Sequence, residues 1–251
     1  MPRRLWIYVV FLLSGFAALL YQIVWQRALY AIYGINIESV TMIVTAFMLG
    51  LGVGSLAGGV VSKDPKRPVL LYFSLVEAGI GLFGLASLQV FHAVGNVTLG
   101  MSALPTFFVT FLLVLVPTML MGSTLPLLVA HLVRENKNVG KSVGTLYFVN
   151  TLGSAFASAA SVLFILGRAG QSGSVRVAAL LNVTVSLLAY VAHRRAQRPA
   201  EIAATLAAAT KAPLDDEKEK QDEKEKQDEK ENGADPQPAP AEEPATEMES
   251  V

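Results

Sequence analysis

The sequence predicts an all-α membrane protein: a bundle of six transmembrane helices followed by a disordered, charged tail. Three observations carry that expectation. Hydrophobic residues make up 53% of the 251 positions, and the mean hydropathy is +0.48. The charges are segregated, with 14 Lys/Arg and 4 Asp/Glu up to residue 200 but 6 and 16 from residue 201 onward. The net charge of zero is therefore two opposed halves cancelling. Finally, the first 200 residues contain long uncharged runs. A helix needs about 20 apolar residues to cross a hydrocarbon core ~30 Å thick. These runs far exceed the ~9–11 residues of a barrel strand and lack its alternation.

Taken in order, the spans fall at about 5–26, 38–61, 69–91, 104–132, 143–166 and 173–193. The first follows Met1-Pro2-Arg3-Arg4 as a signal peptide's apolar stretch would. The bulky run Tyr21-Gln22-Ile23-Val24-Trp25 offers no small-x-small cleavage site, so an uncleaved span is expected. The second places Gly50, Gly54 and Gly58 four residues apart, a face that lets helix backbones approach closely in lipid. The third carries Glu77. The fourth contains Pro117 and Pro126, which remove backbone donors and bend a helix. The fifth repeats the small-residue device with Gly153, Ala157 and Ser161. The sixth carries Asn182.

The bundle is assigned residues 1–199, with a linker or helix extension at 200–212. The tail, 213–251, repeats Asp216-Glu-Lys-Glu-Lys-Gln221 as Asp222 to Gln227 and then turns Pro-rich. It has too little apolar surface to bury and should stay solvated.

Orientation follows the basic residues of the short loops. With the N-terminus cytoplasmic, the inner set is Arg3, Arg4, Lys63, Lys66, Arg67, Arg134, Lys137, Lys141, Arg194, Arg195 and Arg198. The outer set is Arg27, Arg168 and Arg176. Both termini are thus expected on the cytoplasmic side. Trp6 and Tyr8 at one interface, and Trp25, Tyr30 and Tyr33 at the other, are expected to form aromatic belts.

Ionisable groups within a span are costly enough to point to function. Glu77 lies about 12 Å deep at 1.5 Å per residue. Ser14, Ser123, Thr124, Asn150 and Asn182 fall at similar depth on four other spans, which predicts a polar layer centred on Glu77. Two roles stay open. In one, Glu77 carries its proton and holds the helices in register through Asn150 or a backbone carbonyl. In the other, it binds a cation or passes a proton. A second polar group, Gln22, Gln26, Arg27 and Glu38, is expected near the outer face, where Arg27 can pair with Glu38 across the first hairpin. Such an interfacial pair contributes little.

The chain has no cysteine, which excludes disulfides and thiolate chemistry. His92, His131 and His193 are far apart in sequence, so neither a metal nor a cofactor is expected, and no phosphate-binding loop or nucleophile elbow is present. No nucleic-acid partner is expected.

Several blocks carry a family resemblance. Ser14-Gly-Phe-Ala-Ala-Leu-Leu-Tyr-Gln-Ile-Val-Trp-Gln-Arg27, Ala46 to Gly59, Glu77-Ala-Gly-Ile-Gly81, Pro117 to Pro126 and Gly144 to Gly153 occur in sequence. Together they resemble the membrane half of the fused major-facilitator-like/spermidine-synthase-like proteins of prokaryotes, over roughly residues 5–193. The basic turn Gly58 to Pro68 reads first as a plain positive-inside loop and only loosely resembles the signature loop of major facilitator transporters. The resemblance implies a bundle like half of such a transporter, in a prokaryotic inner membrane. It also implies a departure, because the charged tail stands where the aminopropyltransferase-like domain would be. No catalytic residue is carried over and no enzyme activity is expected. The leading expectation is a non-catalytic scaffold or anchor for a partner enzyme or membrane complex. The alternative is a homodimeric transporter of polyamines or another small cation.

Overall fold

The computed structural model describes residues 5–33 and 37–198. Arg3, Arg4, the linker at 200–212 and the tail at 213–251 lie outside the described residues. Residues Met1–Ala196 make one compact unit, and the second, Gln197–Val251, falls almost wholly outside the described part.

Within the described part the chain is helical apart from short turns. The elements are α1 (Leu5–Tyr33), α2 (Ile37–Ser62), α3 (Val69–Thr98), α4 (Ala103–Asn136) and α5 (Val139–Ala160). A π-helical turn, Ser161–Ile165, follows, and residues 166–198 are again helical. By length and apolar composition five helices can cross a membrane, the last of them Val139–Arg198 with 60 residues. The two separate spans expected at 143–166 and 173–193 are therefore joined in one helical stretch. The junction holds no proline, so the residues on both sides of it keep a helical backbone.

The stretch is nevertheless not a straight rod. Gly170 has φ of +64°, a conformation that a right-handed helix of L-residues does not contain. Two buried apolar clusters show where its parts pack. One joins Ile7, Val10, Phe11, Phe73 and Leu128 to Leu146, Val185 and Ala189. The other joins Leu20, Trp25, Ile43, Phe91 and Val114 to Val175 and Ala178, with Ile165 and Leu166 against it. Residues 139–198 therefore contribute to both clusters, Leu146, Val185 and Ala189 to the first and Val175 and Ala178 to the second.

The α2–α4 contact is close because side chains are missing where the helices meet. A Cβ added at Gly50 would strike Thr118, at Gly54 the Met119 carbonyl, and at Gly58 the Ser123 carbonyl and Pro126. Gly122 of α4 answers by lying on the Leu51 backbone. Gly153 of α5 does the same against Leu12 of α1. Large apolar residues meanwhile face outward, among them Leu56, Leu82, Leu112 and Val162. Such a surface suits hydrocarbon.

At the basic end, Arg134 of α4 donates to the backbone carbonyls of Arg67 (2.8 Å), Asp64 (2.8 Å) and Ser62 (3.3 Å). It pins the α2–α3 turn to α4, a role beyond the orientation charge that the sequence alone assigns. A second correction concerns Trp25. It was expected in an interfacial belt but is fully buried. Its ring stacks on Tyr21 and meets Phe83 edge-on, and its indole N–H donates to Ser87 Oγ at 3.0 Å. A buried indole needs a polar partner, and α3 provides it.

Candidate functional site

The site is built where α1, α3 and the helical segment around Asn182 meet. Glu77 of α3 is completely buried. Ser14 of α1 donates its hydroxyl to Glu77 Oε1 at 2.6 Å. Asn182, from the opposite side, donates its amide Nδ2 to Oε2 at 2.5 Å. Each carboxylate oxygen thus receives one neutral donor.

The elements explain the convergence. Ser14 lies on α1 beside Gly15, whose missing side chain leaves room for Asn150 of α5. Asn182 is brought close because Gly81, one turn beyond Glu77, lets the Asn182 Cβ and Val183 approach α3. One turn before Glu77, Ser74 donates to the Ser186 carbonyl at 2.9 Å and Ser186 donates back to the Ser74 carbonyl at 2.8 Å. This reciprocal clasp fixes the register of the two helices, so Asn182 faces Glu77.

Two polar atoms in this region are buried without a hydrogen-bond partner: the Asn182 Oδ1 and the Tyr21 hydroxyl. Tyr21 is seven residues after Ser14 and its ring lies on Gly84, seven residues after Glu77. Buried polar atoms are nearly always satisfied, so these two leave hydrogen-bonding capacity open in the region of the carboxylate.

The other residues expected in the layer do not reach Glu77. Asn150 packs on Gly15, and Asn182 takes the place at the carboxyl group that was expected of Asn150 or a backbone carbonyl. Ser123 and Thr124 donate to the Leu120 and Met121 carbonyls of their own helix, each at 2.7 Å. A hydroxyl on a membrane helix has that local acceptor always at hand. The five-helix layer contracts to three elements.

In the second polar group, Gln26 donates to the Tyr30 hydroxyl at 2.7 Å, Gln22 is half-buried, and Arg27 lines a cavity at that end of the bundle. Glu38 lies on α2, but its side chain is outside the described part, and so is the pairing with Arg27. Tyr21, Ser74 and Ser186 escaped the sequence reading. The signal was available in part: Ser14/Tyr21 and Glu77/Gly84 share a spacing of seven, which puts each pair on one helix face. Among the described residues no group of His, Asp or Glu is arranged to hold a metal ion.

Comparison with known families adds one finding. The family model described as Major Facilitator Superfamily matches residues 6–233. No match was found among curated proteins or solved structures.

Proposed function

The chain belongs to the Major Facilitator Superfamily, and from that premise we propose that it is a transporter half-unit that pairs with a second copy and uses Glu77 to carry a proton. Members of this superfamily enclose a central path between two six-helix halves. The half-unit reading takes residues 139–198 as two crossings that reverse at Gly170, giving six in all. The positive φ there and the division of Leu146, Val175 and Val185 between the two ends of the bundle support it. Eleven basic residues on one side against three on the other favour both termini in the cytoplasm.

The observation that carries the proton reading is the setting of Glu77, which is wholly buried and held by two neutral donors. Such intramembrane carboxylates are typical of proton relays. Asn182 fits both states of the carboxyl group. Ionised, Glu77 accepts from the amide N–H₂ as seen. Protonated, it becomes a donor, and a half-turn of the amide offers the Oδ1 that is otherwise unpartnered. The proton can therefore come and go without leaving Glu77 unpaired.

The test is flux. Purified protein in proteoliposomes, given an inward proton gradient and an organic cation such as spermidine, should show coupled proton movement by an internal pH dye. Glu77→Gln should abolish it while folding and pairing normally. Undiminished flux in that variant would remove Glu77 from the mechanism. A second reading, an anchor for a separately made aminopropyltransferase-like enzyme, draws on the sequence blocks from Ser14 to Gly153. It expects such an enzyme to co-purify in fixed stoichiometry from native membranes.

A further inference from the structure

At the end of the bundle away from the basic turns, a cavity of about 720 Å³ opens between α1, α3 and the α3–α4 turn. The turn is shaped by Gly100, with φ of +85°, and closed by the Met101 N–H donating to the Thr98 carbonyl at 3.0 Å. Thr98 and Thr106 also line the cavity, but their hydroxyls donate to carbonyls of their own helices. The remaining polar groups differ in character. Arg27, His92, Asn96 and Gln171 all border the space, and Phe91 and Ile32 supply an apolar wall. No carboxylate is among the described lining residues.

We propose that this cavity is a binding site for an oxyanion, a phosphate or carboxylate, carried on an apolar body. The chemistry points one way. Arg27 presents a fork of donors that matches the two oxygens of such a group. His92, Asn96 and Gln171 add donors around it. The apolar wall excludes a bare, strongly hydrated ion in favour of a ligand with hydrocarbon to bury. The position of Arg27 is itself informative. Among the described residues, Arg27, Arg168 and Arg176 are the Lys/Arg side chains expected at that end of the bundle, and Arg168 lies over the Phe164 ring at 5.4 Å. A basic residue there works against the charge bias that orients the chain, which a ligand-binding role accounts for. The site is separate from Glu77 and does not depend on proton transport.

The ligand can come from the lipid leaflet or from water, and one experiment separates the sources. The full chain, purified in a neutral detergent, is titrated with lysophosphatidic acid, with decanoate, with inorganic phosphate and with an uncharged monoacylglycerol, reading thermal stabilisation and bound ligand. Both anionic amphiphiles should stabilise the protein saturably, and the uncharged one should not. Arg27→Gln should weaken their binding by about tenfold or more, the worth of a lost charged hydrogen bond, and Arg27→Lys should recover only part. Because Arg27 is exposed, the variants should fold as the wild type does, which circular dichroism checks. Response to inorganic phosphate with the same dependence on Arg27 would support the site with a water-soluble ligand. Equal stabilisation by the uncharged amphiphile, or binding indifferent to both Arg27→Gln and His92→Leu, would overturn the proposal.

Discussion

Glu77 illustrates how much of a residue's role depends on its partners. Its neighbours donate but carry no charge, so what matters is whether those donors keep an acceptor. Glu77→Gln keeps the size and one carbonyl acceptor, and the Asn182 amide can turn to accept from the new N–H₂. Its thermal stability should lie close to wild type. Glu77→Leu leaves the Asn182 amide buried without a partner, whereas the Ser14 hydroxyl can fall back on a carbonyl of its own helix. The expected loss is about 1–3 kcal/mol, measured by reversible unfolding in detergent. Equal stability of Glu77→Leu and Glu77→Gln would show that the network contributes nothing to the fold. The sequence singled out Glu77 because a lone carboxylate in an apolar run is conspicuous. It did not single out Tyr21 or the Ser74–Ser186 clasp, since serines and tyrosines are ordinary in membrane helices and acquire meaning only from what they face.

Between elements, the controlling feature is how closely backbones approach. At Gly54 a Cβ would stand 1.9 Å from the Met119 carbonyl oxygen, whereas at Gly52 nothing lies within 4 Å. Two glycines two residues apart on α2 therefore give a matched pair. Gly54→Ala must push α4 away and should cost roughly 1–3 kcal/mol, the usual range for an overfilled contact. Gly52→Ala should be neutral or slightly stabilising, because alanine is the better helix former. Similar unfolding midpoints for the two variants would mean that the α2–α4 contact is looser than described. The four-residue spacing of Gly50, Gly54 and Gly58 was legible as a packing face. That the face receives α4, and that Gly122 answers it, was not, because spacing along one helix names no partner.

For the whole molecule, the decisive question is how often the chain crosses the membrane. The absence of cysteine allows single substitutions to report sidedness. With a reversal at Gly170, Leu99→Cys and Ser172→Cys should both react with an impermeant maleimide applied to intact cells. Lys66→Cys and Asn138→Cys should react only after lysis. Labelling of Leu99→Cys without Ser172→Cys would mean that residues 139–198 do not turn back. By itself the sequence determined the membrane class, the runs of apolar residues and the isolation of Glu77. Hydropathy and charge are additive along a chain and can be read without knowing its path. The tertiary structure decided that residues 139–198 form one helical stretch with a local break at Gly170 and that Trp25 belongs to the core. It also decided that Glu77 is met by Ser14 and Asn182 while Asn150 is turned to Gly15. Those outcomes depend on which helix faces which, and at what register. Side-chain contact across 63 or 105 residues of chain leaves no periodic trace in either segment alone.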